Sequence, residues 1–209
     1  MTNPILPGAT LGVLGSGQLG RMFAIAARRL GYRVHVYSPD VNTPAGQVSD
    51  REFSAAYDDL GQLAEFARSV DVVTFEFENV PAEVTDCIQK YCPVHPSGYV
   101  LSVAQNRIRE KSTLRDAGLA VPEFREVTTA VELRAAVSEL GTPSVVKTAS
   151  SGYDGKGQAV VHNADQVEEI WAELATDQAI LEQFVDFDCE LSVVGARNVR
   201  GEIVHYGPF

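Results

Sequence analysis

Val145-Val146-Lys147-Thr148-Ala149-Ser150-Ser151-Gly152-Tyr153-Asp154-Gly155-Lys156-Gly157-Gln158-Ala159-Val160-Val161 is the stretch on which the reading of this chain turns. Its apolar, β-branched start predicts a strand over Ser144–Lys147, and Gln158–Val161 predicts another, with the loop between them. A lysine at the end of an apolar strand is poorly solvated unless it meets an anion. The loop from Gly152 to Gly157 has three glycines, with Lys156 between two of them. Such a segment can turn several backbone N–H groups inward as an anion nest. A strand follows the loop rather than a helix, which excludes a Walker-type P-loop. A hairpin that closes over phosphates fits; an ordinary glycine-rich surface hairpin with solvated Asp154 and Lys156 is the plainer alternative.

Downstream, Asn163 with Gln166 reads as a cap opening a helix over Ala164–Ala175, followed by strands at Ala179–Phe184 and Glu190–Ala196. Glu182-Gln183-Phe184-Val185 can present backbone donors and acceptors to an adenine edge, and Glu190 lies near enough to take ribose hydroxyls. The chain then shows a strand–turn–strand signal with Gly201 in the turn and stops at Phe209, which reads as an incomplete domain. Upstream, Thr129-Ala130-Val131-Glu132 reads as a capping box for a helix to Leu140. Short helical segments run through Asn106–Ala117, where Arg107 adds a second cation. Pro93-Val94-His95-Pro96-Ser97 is a rigid turn and places the domain boundary near residues 93–105.

The first third alternates differently. Thr10–Leu14, Val34–Tyr37 and Val70–Phe77 are predicted strands; Arg21–Leu30, closed by Gly31, and Asp58–Ser69 are predicted helices. That order means βαβ units and a parallel sheet. Gly15-Ser16-Gly17-Gln18-Leu19-Gly20 satisfies GxGxxG between a strand and a helix, with Asp40 about 20 residues on, the dinucleotide fingerprint. NAD, another phosphorylated ligand and simple close packing at Gly20 are all open readings of it. It is not a Walker A loop, because Arg21-Met22 follow. In Phe75-Glu76-Phe77-Glu78-Asn79, strand alternation puts Glu76 and Glu78 on one face and the phenylalanines on the other. A carboxylate at the carboxyl end of a parallel strand suits sugar hydroxyls. Glu78 and Asn79 can equally serve a helix N-terminus, which leaves Glu76 the better ligand.

The bulk numbers fit a globular protein: 209 residues, 45% hydrophobic and 22% charged. The net charge of −11 and the lack of a basic patch argue against nucleic acid. Cys87, Cys92 and Cys189 lack CxxC spacing, and His35, His95, His162 and His205 are scattered, so neither disulfides nor a metal site are expected. The start of the chain has no signal-peptide pattern, and no apolar run approaches the ~20 residues of a membrane span. A soluble, cytoplasmic protein with no membrane partner is expected.

Taken together, Gly15–Met22 (GSGQLGRM), Thr74–Pro81 (TFEFENVP) and Ser151–Gln158 (SGYDGKGQ) resemble the ATP-grasp superfamily, and within it the carboxyaminoimidazole ribonucleotide synthetases. Gln105-Asn106-Arg107, Glu182–Val185 and Glu190–Arg197 support the likeness, which runs in register over nearly the whole chain. The resemblance implies an α/β chain with a Rossmann-like pre-ATP-grasp domain over 1–100. An ATP-grasp domain over 101–209 follows, made of an α+β lid subdomain and the start of a second subdomain. It implies that Arg107, Lys147, Gly152, Tyr153, Asp154, Gly155, Lys156, Gly157, Gln158, Glu182, Gln183, Phe184, Val185 and Glu190 contact ATP. Gln18, Leu19 and Glu76 would hold the phosphoribosyl part of aminoimidazole ribonucleotide, which decides the GxGxxG motif against NAD.

In such enzymes of purine synthesis ATP phosphorylates bicarbonate to carboxyphosphate, which carboxylates the amine. Tyr153, Asp154 and Lys156 look like the loop residues near that transfer, with Asp154 as base or positioning group. The resemblance also implies Mg2+, with its ligands beyond residue 209, and a homodimer. The chain as written would then be a fragment with little catalysis of its own. Other ATP-grasp ligases, the formate-dependent glycinamide ribonucleotide transformylase or a biotin-carboxylase-like enzyme, fit Tyr153-Asp154 less well. An NAD(P)-binding module leaves Lys147 and the second loop unexplained.

Overall fold

A run such as Thr10-Leu11-Gly12-Val13-Leu14 is apolar on both sides of its pleat and must be covered on both faces. In the computed structural model, which describes residues 4–150 and 156–209, it is. The first elements are β1 (Thr10–Leu14), α1 (Gln18–Arg29), β2 (Arg33–Ser38), β3 (Arg51–Ser54), α2 (Leu60–Arg68), β4 (Val72–Phe75) and α3 (Ala82–Ile88). The strands form a parallel sheet of order β3-β2-β1-β4. Val13 packs with Ala24 and Ala27 of α1 on one face. Leu14 packs with Leu63 and Phe66 of α2 on the other, where Phe66 also meets the rings of Tyr37 and Phe53.

Next come α4 (Gly98–Ala104) and α5 (Arg107–Asp116), then β5 (Phe124–Val127), α6 (Ala130–Leu140), β6 (Ser144–Thr148), β7 (Gln158–Val161), α7 (Val167–Leu174) and β8 (Ala179–Gln183). These four strands form an antiparallel sheet of order β5-β8-β6-β7. One face is packed: Val146 of β6 and Ala179 and Leu181 of β8 lie against Leu133, Ala136 and Val137 of α6 and Val167 and Ile170 of α7. Period-2 alternation sends Val145, Lys147, Ile180 and Glu182 to the opposite face. A last antiparallel hairpin, β9 (Val194–Arg197) and β10 (Ile203–Tyr206), turns at Gly201, whose φ is +85°.

The expected parallel α/β first sheet and the later α+β sheet are both present. Several boundaries differ. Helix α1 begins at Gln18, directly after the glycine loop, and not at Arg21. Strand β4 ends at Phe75, two residues short of the expectation, and the strand expected from Glu190 starts only at Val194. The Thr129 cap is real, its hydroxyl accepting the Glu132 N–H at 3.2 Å, but the Glu132 carboxylate accepts from Thr128 instead of closing the box on Thr129. The Asn163–Gln166 box forms in full. Strands β3 and β5, four residues each, carry too little periodicity to be predicted.

Candidate functional site

The far end of β6 is where the second sheet gathers its charges. Lys147 lies diagonally across from Glu182 on the face turned away from α6 and α7, because Val145 pairs with Glu182 and Lys147 with Ile180. Its Nζ donates to Glu182 Oε2 at 2.9 Å. Glu182 is buried, 4% exposed, and a second lysine, Lys111 of α5, brings its Nζ to 3.4 Å from Oε1. One residue along, the Thr148 carbonyl accepts from the Arg107 guanidinium at 2.7 Å, and the Ala149 carbonyl accepts the Arg107 N–H at 2.8 Å. The start of α5 is thus tied to the end of β6. Asn106 makes this possible: its side chain caps α5 by accepting from Ile108 and Arg109 N–H, while its amide donates to Gln178 Oε1 at 3.2 Å.

The glycine loop leaves from the same point. The Thr148 N–H donates to the Gly157 carbonyl at 2.8 Å, and Gly157 has φ +69°. A Cβ there would sit 2.8 Å from Thr148 Oγ1, so only glycine fits on both counts. A cleft of about 340 Å3 opens beside Thr148, Ala149, Lys156, Gly157 and Gln178. Lys156, which lines it, and Gln158, at the start of β7, are both exposed. Gly152, Tyr153, Asp154 and Gly155 lie outside the described residues. A neighbouring cleft of about 330 Å3 is lined by Arg107, Gln105 and Ala149 on one side and Glu78 on the other. It is closed below by Gln105, whose side-chain amide donates to the backbone carbonyls of Glu78 (2.6 Å) and Val80.

The GxGxxG loop holds an anion from its own chain. Glu76 Oε1 accepts the Gly17 N–H at 2.7 Å, and Oε2 accepts the Gly20 N–H. These are the donors that a helix N-terminus offers to a phosphate. A Cβ on Gly15 would lie 2.5 Å from Glu76 Cγ and 2.8 Å from Phe77 Cε1. Glu76 and Phe77 therefore both lean on the loop, which corrects the expectation that they face opposite ways: β4 has ended, and period-2 alternation ends with it. Glu76 thus serves a helix N-terminus after all, that of α1. Tyr57, half-buried nearby, has its phenol pushed far above the usual range, chiefly by burial and then by the Glu76 charge. Gln18 and Leu19 stand exposed on the first turn of α1, beside the carboxylate.

The remaining residues separate into near and far. Gln183, Phe184 and Val185 follow Glu182 out of β8 and are exposed, Phe184 and Val185 with open apolar surface. Glu190 is exposed in the segment before β9, and no hydrogen bond or ion pair among the described residues ties it to Lys147 or Arg107. Sequence reasoning missed Lys111. Its signal was the four-residue spacing from Arg107, which puts both cations on one face of α5. Among the described residues no three His, Cys, Asp or Glu side chains converge as metal ligands. No helix among them is long and apolar enough to cross a membrane.

A parallel sheet with a glycine loop, followed by an antiparallel sheet whose β6 carries a lysine near its end, just before a second glycine-rich stretch, defines a class. Residues 8–105 match the ribonucleotide synthetase preATP-grasp domain and residues 112–209 the ATP-grasp domain; the chain belongs to the ATP-grasp family. It is 41% identical over 199 residues to N5-carboxyaminoimidazole ribonucleotide synthase of Bacillus subtilis, covering 95% of this chain and 52% of that one. An ADP complex of N5-carboxyaminoimidazole ribonucleotide synthetase superposes with a TM-score of 0.93 at 42% identity, over 99% of this chain and 55% of that one. The Aspergillus clavatus enzyme in complex with ADP and 5-aminoimidazole ribonucleotide gives 0.82 at 27% identity, over 95% and 52%. The chain spans about half the length of the curated relatives it matches.

Proposed function

We propose that this chain supplies the nucleotide-gripping part of a ligase that carboxylates the amine of aminoimidazole ribonucleotide with bicarbonate, at the expense of ATP, in purine synthesis. The observation that carries the reading is the end of β6, where Lys147, Glu182, Arg107 and the root of the glycine loop meet within hydrogen-bonding distance. Complexes of similar enzymes with ADP, and with ADP and 5-aminoimidazole ribonucleotide, support it. A bicarbonate oxygen attacks the γ-phosphorus and ADP leaves; the amine then attacks the carboxyl carbon of carboxyphosphate and phosphate leaves.

Lys147 and Arg107 offset the phosphate charge, and the Gly152–Gln158 loop covers it with backbone N–H groups and excludes water from the labile intermediate. Glu182, Gln183, Phe184 and Val185 take the adenine, and Glu190 the ribose. Tyr153, Asp154 and Lys156 serve the transfer, with Asp154 as base or positioning group for the amine. Gln18, Leu19 and Glu76 hold the phosphoribosyl part of the ribonucleotide. A domain division at 1–100 and 101–209, Mg2+ as the nucleotide's counter-ion, a homodimer and a cytoplasmic location belong to the same proposal.

Titration calorimetry tests it. ADP and ATP with Mg2+ bind, NAD does not, and Lys147→Met weakens ADP about tenfold or more, the worth of one charge-assisted phosphate contact. NAD binding without ADP binding would sink the reading.

A further inference from the structure

Glu182 has one counter-ion more than its charge requires. Its side chain is 6% exposed, and two ammonium groups reach it, Lys147 on Oε2 and Lys111 on Oε1. One lysine neutralises a buried carboxylate; a second adds uncompensated positive charge and the desolvation of another ion. The two are not equivalent. Lys147 is the closer, at 2.9 Å against 3.4 Å, and the more open to solvent, 26% against 19%. They use different oxygens, so one can leave without disturbing the other. Oε1 is buried and makes no hydrogen bond among the described residues, which leaves room for Lys111 to draw in. Helix α5, which carries Lys111, is already fixed to β6 one turn earlier through Arg107 and the Thr148 carbonyl.

We infer that Lys111 is a positioning residue for phosphate binding: it keeps Glu182 paired so that Lys147 can turn from Glu182 to a nucleotide phosphate. The inference rests on the ATP reading of Lys147. Without Lys111, every phosphate contact made by Lys147 strands a buried carboxylate, and that cost is subtracted from the affinity. With Lys111 in place the carboxylate stays paired while Lys147 moves. Lys111 does not touch the nucleotide, so its effect is confined to ligands that have phosphates.

The test compares ADP and ATP, each with Mg2+, against adenosine, on wild type, Lys111→Met and Lys111→Arg of the 209-residue chain. Ligand-observed NMR and calorimetry supply the affinities. Lys111→Met is expected to weaken ADP and ATP about tenfold, within the usual range of coupling between neighbouring sites, and to leave adenosine unchanged. Lys111→Arg restores the phosphate ligands. Equal ADP affinity in wild type and Lys111→Met overturns the inference alone, as does a parallel loss of adenosine, which would mean a structural or base contact. A wild type that binds neither ADP nor ATP overturns the ATP reading and this inference with it. Should Lys111→Met fold poorly, the lysine Nζ resonances of wild type give the answer. On adding ADP the Lys147 signal shifts and the Lys111 ammonium becomes more protected from exchange; an unchanged Lys111 signal refutes the handover.

Discussion

Glu76 puts a carboxylate where a GxGxxG loop would otherwise hold a pyrophosphate, and this single side chain explains why the dinucleotide fingerprint is misleading here. Two N–H donors at the start of α1, those of Gly17 and Gly20, are taken by Glu76. Removing the side chain should cost stability through those donors rather than through packing. Glu76→Ala is expected to lower the unfolding free energy by about 1–3 kcal/mol, the penalty for stranding partly buried donors, read from urea unfolding. An unchanged midpoint would mean that water replaces the carboxylate freely. The motif itself was legible as glycine spacing. Its occupant was not, because Glu76 lies 59 residues from Gly17 and the turn after β4 decides which way it points.

At the scale of elements, the second sheet works by dividing its faces. Period-2 alternation commits Val146, Ala179 and Leu181 to the helices α6 and α7, and so commits Lys147 and Glu182 to the opposite face, where Lys111 of α5 meets them. Leu133 of α6 is fully buried against that packed face. Leu133→Ala is expected to destabilise the protein by about 2–5 kcal/mol, the usual cost of a large-to-small change in a core. Thermal unfolding measures it, and a loss well below that range would show that α6 can settle into the gap. The alternation of β6 and β8 was readable in the sequence. That β8 inserts between β5 and β6, bringing Glu182 beside Lys147 from 35 residues away, was not. Strand order in an antiparallel sheet follows from long-range packing, which local periodicity does not encode.

For the whole molecule, acid sensitivity gives a check on how the first sheet is closed. His35, in the middle of β2, bonds Ser69 Oγ at 2.9 Å, and its pKa falls below the ordinary 6.5 because burial disfavours the imidazolium, aided by the Arg51 charge. The unfolded chain then binds a proton that the folded one refuses, so stability is complete above pH 6.5 and declines as pH falls below it. Melting temperature is expected to drop between pH 7 and 5, with a smaller drop in His35→Gln; equal slopes in the two would refute the assignment. The sequence by itself determined the class: strand–glycine-loop–helix and strand–glycine-loop–strand patterns are local, and each needs only its own residues to be recognised. It also marked Lys147, at the end of an apolar strand, as chemically out of place unless it meets an anion. Only the tertiary structure decided that Glu76 fills the first loop and that Glu182 is shared by Lys147 and Lys111. Those are pairings between distant segments, and a charge reveals its partner only once the chain has brought the two together in a medium where neither can stay unpaired.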